Sequence, residues 1–427
     1  MSPRWGSRYA DASRPAALFA IAAAARIIHL LIVRPPLDGP YLALADGLVQ
    51  QGTFGGGGLP STAFEPIYPA LLAVGRVLFG NRTILIQIAQ AGAAAFGAVL
   101  MYYLALRLTA SRHAATAAGL MFALHPLLIR HATAATDLGL TSTLIVGFAL
   151  AFVAIRNVRA AAAAGVWLGI TVLTRSMTLP VLVPAAAILL ARRQPREALA
   201  LVAAAVLLVA PLVIRTYALT GSPWPGRSGI NLYIGNSPYT AALLPTYDLD
   251  LLEPEAYERF VRARPDIAAD DPRSAAEFDA FLTRQAIAFM ADRPWTTARQ
   301  KTLNVAYMLS PRIAPYAISG PDTRVRIQGG TVAGVDNALS RSVAEIAAHA
   351  VTASSLLVAA AAGVYRRRRE LLRSDAILWA IFATLVIVNA VYVPATRYTA
   401  PVQFVLMFYS AVACARLREG SGNVAVA

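Results

Sequence analysis

The chain has one cysteine, Cys414, and one lysine, Lys301, among 427 residues. A single thiol excludes a disulfide framework and any cysteine-based metal site. A single lysine means that any anion this protein clamps must be held by arginine, whose planar guanidinium binds phosphate oxygens in pairs. Charge is scarce as well: charged residues make up 14% of the sequence. Several familiar chemistries are missing. The run Gly55 to Gly58 is not followed by Gly-Lys-Ser/Thr, so it is no P-loop and reads as a flexible loop over a site. His125 and His131 lack the glutamate of a zincin helix and read as polar contacts within helices. No serine sits in a nucleophile elbow.

What the chain has instead is apolar length. Hydrophobic residues make up 57% and the mean hydropathy is +0.55, too apolar for a soluble protein of two or three domains. Apolar runs over roughly 15–33, 83–106, 113–131, 138–155, 160–174, 177–191, 198–217, 343–364, 375–393 and 398–415 predict an all-α polytopic membrane protein with about ten transmembrane helices. The net charge of +15 does not point to nucleic acid, because residues 220–342 hold 13 basic and 13 acidic residues and are neutral. The excess falls at the ends of the apolar runs. With a cytoplasmic N-terminus, 17 arginines collect at inner junctions (Arg4, Arg8, Arg14, Arg107, Arg112, Arg156, Arg159, Arg192, Arg193, Arg196, Arg366 to Arg369, Arg373, Arg416 and Arg418). Seven stand at outer ones (Arg34, Arg76, Arg82, Arg130, Arg175, Arg215 and Arg397). This bias sets the orientation and requires residues 218–342 to begin and end outside.

Three regions follow: an N-terminal membrane module, 1–217, with a first outer loop at 34–82; an extracytoplasmic segment, 218–342; and C-terminal membrane helices, 343–427. The first run carries Arg26 and His29 and lacks a small-residue cleavage pattern, so it reads as a retained anchor. Pro66 to Gly80 is short for a span and predicts a helix lying at the outer surface. In the outer segment, Ser222-Pro223-Trp224-Pro225-Gly226 reads as a turn-rich strip and Asp270-Asp271-Pro272 as a helix start. The spacing of Phe278, Phe281, Leu282, Ile287 and Phe289 predicts a helix within a small helical unit.

Only ten of the 23 acidic residues lie outside 220–342. Asp38, Glu65 and Asp137 stand at the outer ends of apolar runs or in the first outer loop, where each is either a turn or helix-start residue or part of a site. Arg175, Arg215 and Arg397 stand at outer span ends, where positive charge should be depleted. They either pair with those carboxylates or clamp a phosphate.

Several strings, in order along nearly the whole chain, resemble the GT-C polytopic glycosyltransferases, in particular bacterial relatives of protein O-mannosyltransferases and the aminoarabinose transferases of lipid A. They are Leu37-Asp38-Gly39-Pro40-Tyr41 with Ala45-Asp46-Gly47-Leu48, Glu65-Pro66-Ile67-Tyr68-Pro69, His125-Pro126 leading to Thr136-Asp137, Leu173-Thr174-Arg175, Arg215-Thr216-Tyr217 leading to Gly229-Ile230-Asn231-Leu232-Tyr233, Arg293-Pro294-Trp295, and Arg397-Tyr398. The resemblance implies a bundle with its active site at the outer face of a bacterial-type cytoplasmic membrane. It implies transfer from a sugar-bearing polyprenyl phosphate to a lipid, glycan or protein, with Asp38 as catalytic base. Asp137 and Glu65 are then the rival carboxylates, Arg175, Arg215 and Arg397 the donor-phosphate ligands, and Tyr41, Tyr68, Asn231 and Tyr398 substrate contacts. No cofactor is called for. Two positions depart from the family's pattern: Gly39 stands where a second acidic residue is common, and Glu65-Pro66 where Pro-Pro is common. The competing class is a transporter or flippase of a lipid-linked or anionic solute.

Overall fold

The computed structural model describes residues 12–56, 59–223, 226–265, 272–320 and 322–415. Arg4, Arg8, Arg416 and Arg418 of the inner arginines, Gly57 and Gly58 of the glycine run, and Trp224, Pro225, Asp270 and Asp271 lie outside the described residues.

The chain is built almost wholly of helices: α1 (Ser13–Val33), α2 (Pro40–Gln51), α3 (Ile67–Phe79), α4 (Thr83–Thr109), α5 (Arg112–Leu124), α6 (Pro126–Thr133), α7 (Leu138–Val153), α8 (Val158–Thr174), α9 (Leu182–Ala191), α10 (Pro195–Thr220), α11 (Ser228–Gly235), α12 (Glu253–Ala263), α13 (Pro272–Asp292), α14 (Pro294–Leu309), α15 (Val343–Arg366), α16 (Ala376–Val391) and α17 (Gln403–Cys414). α4 is central and packs on α1, α5 and α7, while α8 pairs with α10 and α15 with α17. Small residues let these pairs approach closely, as is usual where helices pack without a hydrophobic drive between them. A Cβ on Gly165 would meet the Leu201 carbonyl of α10 at 2.3 Å, and one on Gly363 the Tyr409 carbonyl at 1.9 Å. The main core runs through Tyr102, Phe122, Phe148, Phe152, Phe404 and Phe408.

Helices stand at all ten predicted apolar runs, but among the described residues four are long and apolar enough to cross a membrane: α1, α4, α10 and α15. This is a multi-pass membrane protein. Proline is one reason the other runs are shorter. The predicted span 113–131 is broken at His125, whose extended backbone precedes Pro126, so that α6 turns away from α5. α6 and α7 then meet at 119°. Likewise Ser176–Val181, containing Pro180, and Thr396–Val402, containing Pro401, are tight 3₁₀ turns ahead of α9 and α17.

In the loop over residues 34–82, Gly39 (φ 90°) and Pro40 start α2, which packs on α3 around Leu42, Ala45, Tyr68 and Leu72, with Ile86 of α4 beneath. Gly55–Gly56 pairs with Leu59–Pro60 in a short ribbon. Within residues 218–342, α11, α12 and α13 gather a second core of Tyr233, Leu249, Leu252, Phe260, Leu282 and Ala286. Here the helical expectation needs two corrections. Ile287 lies on the exposed side of α13, and residues 324–336 form a β-hairpin, Arg324–Gln328 with Thr331–Asp336, turned by Gly329 and Gly330 at φ 56° and 76°.

Candidate functional site

Three breaks in the helical bundle supply one site. The bend between α6 and α7 presents Arg130, His131 and Asp137; the end of α8 presents Arg175; the turn before α17 presents Arg397 and Tyr398. Tyr41 reaches in from the first turn of α2, and these side chains line a cavity of about 330 Å³. Such positions suit a site because a helix break leaves polar backbone unpaired and must be settled by side chains or water.

Asp137 precedes α7 but its side chain does not cap it. Thr136 Oγ1 takes the Leu138 N–H instead, at 3.4 Å. The buried Asp137 carboxylate accepts from Arg175 Nη1 at 3.1 and 3.0 Å and from the Tyr41 hydroxyl at 3.3 Å. Asp137 thus stands at the start of α7, its carbonyl accepting the Thr141 N–H at 2.8 Å, but its side chain serves Arg175, because a guanidinium partner outbids a helix terminus for a buried carboxylate. Arg175 Nη2 lies 3.7 Å from Met177 Sδ. The ring of Tyr398 sits between two guanidiniums, with Arg175 Cζ and Arg397 Cζ each 4.8 Å from its centroid.

Arg397 is held by carboxylates the sequence reading had left in the outer segment without a role. Its Nη1 donates to Asp248 at 2.5 Å and its Nη2 to Asp250 at 2.9 Å. Arg130, a cavity residue not among the expected site residues, pairs with Glu345, which also accepts from Arg341 Nη1 at 2.7 Å. His131 is buried at the cavity wall. The only signal for Arg130 was its place among the outer arginines; His131 gave none.

The other predicted residues sit elsewhere. Glu65 accepts the Ser176 N–H at 2.7 Å. It thus straps the first loop to the residue after Arg175, rather than serving the start of α3, and burial raises its carboxyl above the ordinary range. Tyr68 packs edge-on against Tyr41 at 4.9 Å, and its hydroxyl donates to Gln90 Oε1 at 2.8 Å. Arg215 does not line the cavity: its two terminal nitrogens donate to the carbonyls of Ser61 (2.8 Å) and Phe54 (3.1 Å), holding the glycine-containing loop. Asn231 lies in α11 and is also absent from the cavity wall. Asp38 is exposed, and its carboxylate has no hydrogen bond or ion pair among the described residues. It stands three residues before Tyr41, ahead of the start of α2. No group of three or more His, Cys, Asp or Glu side chains that could hold a metal is found among the described residues.

The helical bundle as a whole has a fold found among solved structures. Two solved structures of the oligosaccharyltransferase AglB from Archaeoglobus fulgidus share it. The apo form superposes with a TM-score of 0.51 at 16% identity, over 95% of this chain and 51% of that one. The complex with an inhibitory peptide and a dolichol-phosphate gives 0.50 at 15%, over 96% and 50%. The chain thus spans about half the length of these proteins. ArnT from Cupriavidus metallidurans bound to undecaprenyl phosphate covers 94% of this chain at a TM-score of 0.40, too low to bear on the fold. No family model matches the sequence, and no curated protein matches it.

Proposed function

We propose that the protein is a glycosyltransferase that moves a sugar from a polyprenyl-phosphate donor to an acceptor hydroxyl at the outer face of the cytoplasmic membrane, through a bundle of about ten crossings. The observation that carries this reading is the convergence of Arg130, Arg175 and Arg397 on one cavity also lined by Tyr41, three residues after the exposed Asp38, which has no partner among the described residues. Three guanidiniums suit a group on which negative charge develops, as on a departing phosphate. An unpartnered carboxylate at the loop suits proton removal from a weakly nucleophilic alcohol.

In the reaction the acceptor oxygen attacks the anomeric carbon as Asp38 takes its proton. The bond from that carbon to the phosphate oxygen breaks, and the electron pair leaves with the lipid phosphate. One base serves a single inverting displacement, whereas a double displacement needs a second carboxylate as nucleophile; the analogy is with glycosidases. Asp137 is poorly suited to be that base, because Arg175 and Tyr41 already hold it. Its part is to position Arg175.

Incubating the purified protein with a panel of polyprenyl-phosphate sugars tests the reading directly. Sugar release or transfer from at least one donor is expected, and none from any donor would sink it. Orientation is tested with single cysteines at Arg193, Arg368 and Ser274 in a chain lacking Cys414. An impermeant thiol reagent should label only position 274 in intact cells, and labelling of 368 but not 274 would invert the topology.

A further inference from the structure

The first loop separates two cavities. Tyr41 lines the arginine cavity, whereas Leu37, four residues earlier, lines a second cavity of about 430 Å³ between the end of α1 and the start of α4. Asp38 lies between those two residues in the chain. The second cavity is walled by Leu31, Leu37, Thr83 and Ile84, with Arg34 and Gln87 as polar members. Gln87 is not free to serve a ligand, because its amide donates to the carbonyls of Pro35 at 2.8 Å and Thr133 at 3.1 Å. It fixes the wall.

The surroundings say what occupies such a space. Ile28, Leu31, Ile32 and Val33 at the end of α1 are all more than half exposed, and Ile84 at the start of α4 is exposed too. This is an apolar rim at the end of a membrane-crossing helix, and it faces acyl chains. At the same level stand Arg34 and Arg82, both exposed and neither in an ion pair among the described residues; Arg34 Nε donates only to the Leu31 carbonyl, at 3.3 Å. On the proposed orientation both are outer arginines, where positive charge is disfavoured unless something anionic offsets it. A water-soluble peptide or glycan needs no apolar rim. A lipid with an anionic head matches both features.

We infer that this groove takes a membrane lipid whose phosphate-bearing head lies on Arg34 and Arg82 and whose chains lie along α1 and α4. This lipid is the acceptor, delivering its hydroxyl to Asp38 from the side opposite the donor. The acceptor role rests on the glycosyl-transfer reading; the binding of the lipid does not.

Native mass spectrometry of the full-length protein, released from micelles holding equal phosphatidylglycerol and phosphatidylcholine, reads the groove. One tightly held phosphatidylglycerol is expected, preferred by about 10-fold or more, and lost in the Arg34→Ala/Arg82→Ala protein and in Ile84→Trp, which fills the groove from its rim. Equal retention of the two lipids, or retention unchanged in both variants, overturns the site. The acceptor role is read by release of sugar from the donor into water. Wild type and Arg34→Ala/Arg82→Ala should release alike without added lipid, and phosphatidylglycerol should suppress release at about 10-fold lower concentration in wild type. Suppression equal in the two proteins removes the acceptor role while leaving glycosyl transfer intact. No release from wild type removes glycosyl transfer and the acceptor role together, and the retention pattern then decides the lipid site alone.

Discussion

Two buried arginine–aspartate–tyrosine nodes, one just ahead of α16 and one reached by Tyr398 of the turn that follows it, are built from the same residue types to different ends. Ahead of α16, Arg367 grips Asp375 through two nitrogens, Nε to Oδ2 at 2.7 Å and Nη2 to Oδ1 at 2.6 Å. Tyr409 and Ser374 donate to the same carboxylate at 3.1 and 3.0 Å, and Trp379 Nε1 donates to the Tyr409 oxygen at 2.9 Å. Both carboxylate oxygens are held. In the other node, Arg175 gives a single nitrogen to both oxygens of Asp137, its Nε and Nη2 meet no oxygen acceptor among the described residues, and a cavity with two more guanidiniums adjoins it. Residue type alone therefore does not mark a site. Spare hydrogen-bonding capacity facing an open volume does.

If the open node handles phosphate and not the proton, the largest effect on turnover comes from outside both nodes. Asp38→Asn should cut transfer by roughly 10² to 10⁴-fold with donor binding little changed, measured as transfer rate and donor affinity on the same preparation. Normal turnover in Asp38→Asn, with Asp137→Asn or Glu65→Gln inactive yet folded, would move the base into the open node and break the contrast.

The next effects separate the nodes themselves. Arg367→Ala leaves the buried Asp375 unpaired and should cost about 3 to 5 kcal/mol of stability, seen as a lower thermal midpoint in detergent, with donor affinity unchanged. Arg175→Ala should lose both stability and donor affinity. In Arg175→Ala/Asp137→Asn the buried charge is gone, so stability should recover and donor affinity should not. A double variant that binds donor like wild type would show that the open node is structural too.

A third effect reads the outer segment, away from either node. Asp279 of α13 accepts the Gly229 N–H at 2.6 Å, and burial, outweighing that bond, pushes its carboxyl up to about 6. The folded state then binds a proton that the unfolded chain, titrating near 3.9, has released. Stability from this group is thus fully present at acid pH and lost as pH rises through about 6. Asp279→Asn should be more stable than wild type at pH 7.5 by up to about 3 kcal/mol and equal to it near pH 4. A difference in thermal midpoint that does not vary with pH would refute the shift.

Smaller effects sharpen the boundary of the site. Arg397→Lys keeps the charge but loses the planar fork between Asp248 and Asp250, and donor affinity should fall by about 1.5 kcal/mol. Arg215→Ala should leave donor affinity within about twofold and instead speed protease cleavage of the loop around Phe54 and Ser61, because losing its hydrogen bonds to those carbonyls frees the loop. The smallest is Arg262→Ala on the exposed Arg262–Glu258 pair, expected to change stability by less than about 0.5 kcal/mol.

Much of the fold was legible in the sequence, since apolar length and arginine placement are local properties set by the bilayer's thickness and field. The helices at the ten apolar runs and the helix over residues 272–292 follow from such patterns. Pro126, Pro180 and Pro401 lie inside apolar runs read as continuous spans, and the breaks there, with the 119° between α6 and α7, were missed because apolar length marks a span while proline and the neighbouring elements decide where its helix ends and where the next one goes. The hairpin at 324–336 was missed although Gly329-Gly330 is a hairpin signal, its strands being short and only partly buried.

The site divides in the same way. The sequence by itself determined that the scarce carboxylates and the outer arginines needed explaining, because unpaired charge at a membrane surface is costly wherever the chain goes next. It also singled out Tyr41, Asp137, Arg175, Arg397 and Tyr398 by resemblance. Only the tertiary structure decided the pairings: Asp137 with Arg175 across 38 residues, Arg397 with Asp248 across 149, and Arg215 with the loop carbonyls of Ser61 and Phe54. Hydrogen bonds form between groups that packing brings within about 3 Å, and separation along the chain carries no record of that distance.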